Sequence, residues 1–398
     1  MEGVFRLISR FLFFFIPLLL GITLFEYAMY RSGDSWPTAL VVQKQKEISG
    51  ILYGRKNFSH NFFHYKKRIL ENNQADIVVL GSSRVMQIRD FMFSPMDDSF
   101  YNFGGMVRNV FELKTYCDLV IRGEVHKPKV FIVGIDPWWF NKDKTTKNRY
   151  EEWRGFDWFP NLSDHLAIGL DFLRGTKKVP FDAIINGVGS KSPYYGYYAI
   201  GVAAIQDGSG FRSDGSRQYS PEIIIDFLKN PIYTDREVPP IIDRVKKNDF
   251  ITIPQLEYIS VLVDALGRIH NSGVEVYAVL PPFSSEVLEE IEQSSKKGWK
   301  MYTTELPDML KGYGIQVISS LSPNTYGLDD TYMFDGMHPS EVFMGYSVYD
   351  LLTNIEETSF LQQIDSRVLA NLLETVGVIS LSLQHNAFPE NNIIQESF

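Results

Sequence analysis

Apolar residues in this chain form short continuous runs that alternate with longer stretches of helical spacing. Such runs, rich in Val, Ile, Leu and Phe, are typical of strands that are covered on both faces of a sheet. The runs lie at residues 76–80, 99–103, 128–135, 274–280 and 315–319. Helical spacing is found at residues 110–120, 253–272, 284–297, 342–355 and 368–376. Strands that alternate with helices predict an α/β protein with a mostly parallel five-stranded sheet.

The N-terminus carries a much longer apolar run. It extends from Phe11 to Tyr30, with Glu26 as its interruption, and two arginines precede it. A membrane span needs about 20 apolar residues, so we predict an uncleaved anchor in residues 1–30 that contacts the bilayer through residues 7–30. A cleaved signal peptide, whose apolar core is shorter, is the alternative. The two arginines predict a cytoplasmic N-terminus and a main domain outside the cytoplasmic membrane.

Composition divides the rest of the chain into three parts. Residues 31–75 are polar with interspersed aromatic residues, which is typical of a stalk or covering helix. Residues 76–355 carry the α/β alternation, interrupted at about 141–248 by an irregular insertion rich in Trp, Tyr and Gly. Residues 356–398 hold one apolar helix and a polar tail.

Charge and cysteine content exclude several classes of function. The net charge of −9 and the isoelectric point near 5.4 give no basic field for binding nucleic acid. Cys117 is the single cysteine, so the 398-residue chain has no internal disulfide framework and no cysteine zinc cluster.

Two polar motifs suggest an active site. The strand at 76–80 ends in Gly81-Ser82-Ser83-Arg84, and Asp335-Gly336-Met337-His338 follows far downstream. A serine hydroxyl becomes a good nucleophile when a neighbouring base accepts its proton, and a carboxylate can orient that base. We predict Ser83 as nucleophile, His338 as base and Asp335 as its orienting group, with Ser82 as a weaker nucleophile candidate. The alternative is that the motifs are a plain turn and a polar loop.

These motifs resemble the SGNH or GDSL-type hydrolases, and more closely the membrane-anchored branch that includes the DltD and AlgJ/AlgX proteins of cell-surface polymer acylation. The matching blocks are Gly81-Ser82-Ser83, Asn102-Phe103-Gly104 and Asp335-Gly336-Met337-His338. The resemblance covers roughly residues 76–140 and 272–345. It implies a flavodoxin-like α/β/α fold of three layers, and an oxyanion hole formed by the backbone N–H groups of Ser83 and Gly104.

The third block departs from the family pattern. The family usually has Gly-x-Asn-Asp, in which the Asn side chain is an oxyanion donor, whereas this chain has Asp136 within Gly134-Ile135-Asp136-Pro137. An ionised carboxylate would repel an oxyanion, so Asp136 does not inherit that role. The residues that remain as candidates for substrate binding are Arg84, Asn102, Asp136, Trp138 and Trp139. A solvated surface arginine and aromatic core packing are the alternatives for Arg84 and the tryptophans.

Metal sites have little support in the sequence. His60 and His64 are four residues apart, but an aromatic surface helix explains them better. Asp207, Ser209 and Asp214 resemble a calcium loop without the EF-hand spacing. We expect no metal and no cofactor.

Together these patterns predict a membrane-anchored serine O-acyltransferase or esterase that acts on a surface polysaccharide or related envelope polymer. The resemblance implies a multi-span membrane O-acyltransferase as partner. The alternative is a non-catalytic glycan-binding or assembly protein that retains the fold.

Overall fold

The computed structural model describes residues 2–48, 50–55, 58–141, 148–152, 168–170, 173–175, 188, 198–220, 234–247 and 255–375. The chain has two compact units. Unit 1 comprises Met1–Asn61 and Asp157–Ser213, and unit 2 comprises Phe62–Phe156 and Asp214–Phe398. The insertion predicted at 141–248 is therefore divided between the units, and so is the segment predicted as a stalk at 31–75.

The described helices, in chain order, are α1 (Glu2–Ser32), α2 (Thr38–Glu47), α3 (Phe58–Leu70), α4 (Val110–Ile121), α5 (Arg149–Glu152), α6 (Val202–Asp207), α7 (Thr234–Lys246), α8 (Leu256–Asn271), α9 (Ser285–Ser294), α10 (Lys296–Lys300), α11 (Leu306–Lys311), α12 (Glu341–Thr353) and α13 (Ser366–Thr375). The strands are β1 (Leu52–Tyr53), β2 (Ile77–Gly81), β3 (Phe100–Gly104), β4 (Val130–Gly134), β5 (Ala199–Ile200), β6 (Gly210–Phe211), β7 (Arg217–Gln218), β8 (Glu275–Leu280) and β9 (Gln316–Ser319).

Unit 2 is built on a parallel sheet with the order β3-β2-β4-β8-β9. This confirms the predicted parallel sheet of five strands. By position in the chain the order is 2-1-3-4-5, which is the order of flavodoxin-like doubly wound sheets. Such a sheet has a topological switch point between its first and third strands, here β2 and β4. Reactive groups gather in the crevice at the carboxyl ends of these strands.

Apolar side chains cover both faces of this sheet. On one face, residues of β2, β4 and β8 form a core with α12 and α13, which includes Val79, Ile132, Val279, Phe343 and Leu369. On the other face, the ring of Tyr116 from α4 lies 5.4 Å from that of Phe131. Both faces of the central strands are thus removed from water, which explains why β2 and β4 are apolar at nearly every position.

The helix predicted at 284–297 is broken in the structure. Ser295 has φ −133° and ψ 32°, outside the helical region, and it separates α9 from α10. A π-helical turn at Met301–Glu305 then joins α10 to α11. The charged and polar spacing continues through Ser295 into Lys296 and Lys297, so helical periodicity alone does not reveal the break.

Unit 1 contains α1, α2, α6 and a small sheet in which β1 pairs with β5 in parallel and with β6 in antiparallel orientation. Within α1, Phe11–Ser32 is long and apolar enough to cross a membrane, and its window of highest hydropathy is unburied. Asp34, just after α1, accepts a hydrogen bond from the Val202 N–H at the start of α6. This contact ties the end of α1 to the later segment of the unit.

Candidate active site

The loop after β2 presents one serine and buries the residues around it. The Ser82 hydroxyl caps the 3₁₀ turn Ser83–Val85 by accepting a hydrogen bond from the Arg84 N–H at 3.2 Å. Arg84 and Val85 are fully buried, whereas Ser83 is exposed. The turn therefore rests on two buried side chains and presents the Ser83 hydroxyl at the switch point of the sheet.

The second motif lies between the 3₁₀ turn Asp330–Tyr332 and α12. Phe334 donates a backbone hydrogen bond to the His338 carbonyl at 2.8 Å, which closes the loop between them. Ser340 caps α12 by accepting the Phe343 N–H at 3.2 Å. The loop is thus closed at its base and joined to a capped helix, so it can hold the His338 ring in one place.

The structure brings Ser83, His338 and Asp335 together. The Ser83 Oγ lies 2.8 Å from His338 Nε2, and His338 Nδ1 lies 2.7 Å from Asp335 Oδ2. A carboxylate beside Nδ1 favours the tautomer that carries its proton there, which leaves the Nε2 lone pair free to accept the serine proton. This is the geometry that a serine nucleophile requires.

Asp335 is held by more than the imidazole. Its Oδ1 accepts hydrogen bonds from the backbone N–H groups of Met337 at 2.7 Å and His338 at 2.8 Å. Burial raises the pKa of Asp335, but His338 and these N–H groups outweigh burial, so the pKa lies below its ordinary value. The carboxylate therefore stays ionised wherever His338 can act as a base.

Arg84 is buried between the Ser83 loop and the His338 loop and does not face solvent. Its exposed fraction is 0 %, which corrects both the prediction of substrate binding and the alternative of a solvated surface arginine. Its Nε donates to the Met337 carbonyl at 2.9 Å, and its other nitrogens donate to Asp136 Oδ1 at 3.0 Å and to the carbonyls of Pro281 and Pro282. The guanidinium thus connects the ends of β4 and β8 to the His338 loop.

Asp136 is the buried counter-ion of Arg84. Its exposed fraction is also 0 %, which corrects the prediction that it binds substrate. Burial raises the pKa of Asp136, while Arg84, the Ser82 hydroxyl and His338 act in the opposite direction. The third block of the motif therefore supplies an ion-pair partner to Arg84, in the place where the family pattern has an oxyanion donor.

The Gly104 N–H, which was predicted for the oxyanion hole, donates its hydrogen bond to the Asn102 side chain. The Asn102 Oδ1 accepts this N–H at 2.7 Å, while its Nδ2 donates to the carbonyls of Val85 and Ile88, each at 2.8 Å. Asn102 is fully buried, so it cannot bind substrate as predicted. The prediction for Gly104 is corrected as well, because its single proton is already donated.

The two predicted tryptophans differ in their surroundings. Trp139 is 1 % exposed and belongs to the core, which is incompatible with stacking on a sugar ring and corrects its predicted role. Trp138 is partly exposed, and its ring centre lies 5.4 Å from the Arg84 guanidinium carbon. Substrate binding by Trp138 stays a prediction.

Some polar residues around the site were missed in the sequence. Arg89 forms a buried ion pair with Glu341 at 2.7 Å and also hydrogen bonds to Ser216 and Gln87. Lys66, fully buried, donates to the carbonyls at the end of β3. Apart from Gln87, the partners of Arg89 and Lys66 are distant along the chain, so nothing in the local sequence marks those contacts.

The metal alternatives gain no support. The Asp214 carboxylate accepts hydrogen bonds from Ser216 and from the Asp90 N–H, so it is satisfied by protein groups. The side chain of His60 lies outside the described residues. Among the side chains that the structure describes, no three His, Cys, Asp or Glu residues form a group that could hold a metal ion.

Comparison of the chain with protein-family models, with curated proteins and with solved structures finds no match. The geometry of the site and the residues that form it therefore carry the functional conclusion.

Proposed function

We propose that this protein is a membrane-anchored serine O-acyltransferase or esterase that acts on a cell-surface polysaccharide or related envelope polymer through an acyl-serine intermediate. The observation that carries the proposal is the continuous contact from Ser83 Oγ through the His338 ring to Asp335. The SGNH-like motifs and the 2-1-3-4-5 strand order support an SGNH fold of three layers.

The first step forms the acyl-enzyme. His338 Nε2 accepts the Ser83 proton as Oγ attacks the acyl carbonyl, and Asp335 stabilises the imidazolium that results. The tetrahedral intermediate then collapses, and the imidazolium gives its proton to the departing alcohol. In the second step His338 deprotonates water or a sugar hydroxyl, which attacks the acyl-serine; the bond from the acyl carbon to Oγ then breaks, and the imidazolium returns its proton to Ser83 Oγ. Hydrolysis and transfer thus differ in the acceptor alone.

The oxyanion needs donors, and the Ser83 N–H is the best candidate. It forms no hydrogen bond to any residue within the described ranges. One preorganised donor commonly contributes about 3 kcal/mol to transition-state stabilisation. With the Gly104 N–H already bonded to Asn102, we infer that Ser83 supplies the main backbone donor on this chain.

The apolar part of α1 supports the anchor. Phe11–Ser32 is long enough to span a bilayer, and the arginines before it favour a cytoplasmic N-terminus with the catalytic unit on the outer side. A site held at the membrane suits a substrate that is itself attached to the surface. A multi-span O-acyltransferase would be a suitable partner, as donor of the acyl group.

The second candidate is a non-catalytic glycan-binding or assembly protein. The occupied Gly104 N–H and the carboxyl at Asp136 favour it, since both weaken an oxyanion hole. The close contact between Ser83 and His338 favours catalysis, because a binding protein has no use for an activated hydroxyl.

Labelling with a serine-directed fluorophosphonate distinguishes the two functions. We expect the wild-type chain to be labelled, Ser83→Ala to lose the label, and Ser82→Ala to retain it as the matched control, since Ser82 caps the same turn without contacting His338. Labelling that survives Ser83→Ala, or a wild-type chain that is never labelled, would favour the binding function.

A further inference from the structure

We propose that Arg84 is the positioning residue of this active site: through its bond to the Met337 carbonyl it holds the His338 loop against the serine loop. This role rests on the proposed function, and it explains how His338, the proposed base, is held in place. It concerns a residue that touches neither the acyl group nor the reacting atoms.

Arg84 lies between the serine loop and the His338 loop. It follows Ser83 directly in the chain, and its Nε donates to the carbonyl of Met337, the residue before His338. Movement of either loop therefore changes this hydrogen bond. The Met337 carbonyl is adjacent to His338 in the chain. A small displacement of this carbonyl would therefore turn the imidazole away from Ser83 Oγ.

The guanidinium of Arg84 is itself fixed from several sides. Asp136 at the end of β4 and the carbonyls of Pro281 and Pro282 after β8 accept its other protons. The Phe283 ring centre lies 4.1 Å from its guanidinium carbon. A planar fork of donors can satisfy this set of partners, whereas the single ammonium of lysine cannot reach all of them.

Further aromatic side chains pack around Phe283. Trp299 packs against both Phe283 and Tyr302, with ring centres 6.1 Å and 5.4 Å away. The Tyr302 hydroxyl, carried by the π-helical turn, donates to the Ile135 carbonyl at 2.7 Å, next to Asp136. These aromatic rings keep water from the guanidinium, so water does not compete for its hydrogen bonds.

The test compares Arg84→Lys with Arg89→Lys. Arg89 is the matched control because it is also buried and also bonded to a carboxylate, that of Glu341, but its partners are Glu341, Ser216 and Gln87. With p-nitrophenyl acetate as probe, we expect Arg84→Lys to lower kcat about a hundredfold with KM nearly unchanged, the scale of a small misplacement of catalytic groups. Equal losses in both variants would overturn the proposal.

Nuclear magnetic resonance of the imidazole nitrogens separates this proposal from the proposed function. We expect a single His338 tautomer, protonated at Nδ1, in the wild type and in Arg89→Lys, and averaged nitrogen shifts in Arg84→Lys. Unchanged shifts in Arg84→Lys would overturn the positioning role. This result is independent of turnover: if the wild type shows no Ser83-dependent labelling, the catalytic function fails while the shifts still test Arg84.

Should Arg84→Lys not fold, the wild-type chain supplies the test. The Nε–H of Arg84 is buried and bonded to Met337, so its exchange with solvent should be far slower than that of the exposed Arg367. Exchange of Arg84 as fast as that of Arg367 would contradict the contact on which the proposal rests.

A second inference concerns unit 1 and rests on different observations: we propose that Leu170 and Leu173 face the lipid beside the anchor. Leu170 is 47 % exposed and Leu173 is 86 % exposed. The neighbouring Ile168 is buried in a cluster with Met29 of α1 and with Val202. The segment thus packs one apolar residue on the anchor and presents two others outward.

The position of this segment along the anchor indicates that lipid covers Leu170 and Leu173. Phe25 of α1 packs against the same cluster, and a side chain placed at Gly169 would lie 3.9 Å from its ring. At about 1.5 Å per helical residue, Phe25 lies roughly 10 Å before Ser32 at the end of the apolar helix. If the anchor spans the bilayer with Glu26 at its interface, residues that contact Phe25 lie where the acyl chains meet the headgroups, and an exposed leucine there is still removed from water.

Single-cysteine labelling tests this placement. Cys117 is buried, and burial raises the pKa of its thiol, so an environment-sensitive dye will react with an introduced cysteine instead. The variants are Leu18→Cys in the anchor, Leu173→Cys, and Leu256→Cys as an exposed control from unit 2. In phosphatidylcholine vesicles with brominated acyl chains, we expect quenching at residues 18 and 173 and none at 256.

Quenching at the three positions distinguishes failure of the lipid contact from failure of the anchor. Quenching at 18 with none at 173 would overturn the lipid contact while leaving the anchor intact. No quenching at 18 would contradict the anchor itself, and the lipid contact with it. Equal quenching at 173 and 256 would also overturn the proposal, because it would show no preference for the segment beside α1.

Discussion

Ser83 Oγ and His338 Nε2 lie 2.8 Å apart although 255 positions separate them in the chain. The parallel sheet makes this possible, since β2 ends at Gly81, two residues before Ser83, and the later strands bring the His338 loop to the same edge. Each of the following predictions changes one contact that supports this pair.

Asp335→Asn should slow acylation of Ser83 strongly while the fold remains intact. An amide beside Nδ1 no longer favours the tautomer that leaves Nε2 free, and the expected loss in rate is about 10²–10⁴-fold. Stopped-flow measurement with p-nitrophenyl acetate gives the rate. Asp330→Asn is the control, because Asp330 lies in the 3₁₀ turn before the His338 loop and its carboxylate accepts the Ser285 N–H at the start of α9. A loss below threefold in Asp335→Asn would contradict the assigned role.

The same variant predicts a change in acid stability. The pKa of Asp335 lies below its ordinary value of about 3.9. Its stabilising contribution is therefore complete above that ordinary value and is lost as the pH falls through the lower folded value. Urea unfolding should show that Asp335→Asn destabilises the chain at neutral pH and destabilises it less in acid. A difference that does not depend on pH would contradict this linkage.

Removal of Arg84 should leave a costly buried carboxyl. Burial already raises the pKa of Asp136, and Arg84→Met takes away the partner that opposes this. The folded chain then keeps a proton that the unfolded chain has lost, so stability falls as the pH rises from about 4 to the raised folded pKa. We expect about 3–5 kcal/mol of destabilisation at neutral pH.

Adding Asp136→Asn to Arg84→Met should remove most of this pH dependence, because the double variant has no carboxyl at position 136 to titrate. Urea unfolding at acid and neutral pH measures both variants. A double variant as dependent on pH as the single one would show that another group is responsible.

Asn102→Ala should destabilise unit 2 without removing a reacting group. It leaves the Gly104 N–H and the carbonyls of Val85 and Ile88 buried without their partner, at a cost of about 3 kcal/mol. Asn109→Ala is the comparison, since it removes the cap of α4, which typically costs about 1 kcal/mol. Equal effects of the two substitutions in urea unfolding would contradict the conclusion that Asn102 satisfies three buried backbone groups.

Gly134→Ala should disturb the serine turn. A methyl group at this position, the end of β4, would overlap the Val85 side chain that anchors the turn. We expect fluorophosphonate labelling of Ser83 to slow at least tenfold, as overpacking displaces the loop. Adding Val85→Ala makes room for the methyl group and should restore part of the rate. Labelling at the wild-type rate in Gly134→Ala would contradict the tight contact.

The sequence predicted the sheet better than the surroundings of the site. Continuous apolar runs identify β2, β4 and β8, because burial on both faces leaves a mark at every position. The burial of Arg84 and Asn102 was not predicted, because it depends largely on partners in other segments, such as Met337 for Arg84 and Val85 for Asn102. The Asn102 side chain accepts the Gly104 N–H two residues later, a local Asx-type contact that the motif comparison overlooked, so the predicted oxyanion hole included a donor that is already occupied.

The most direct test of the account is the covalent intermediate itself. The full-length chain in detergent is mixed with p-nitrophenyl acetate, quenched in acid and measured by intact mass spectrometry with peptide mapping. We predict the mass increase of one acetyl group, located on Ser83, and no such increase in Ser83→Ala. An acetyl group on another residue, or none on a folded wild-type chain, would contradict the proposed acyl-serine chemistry.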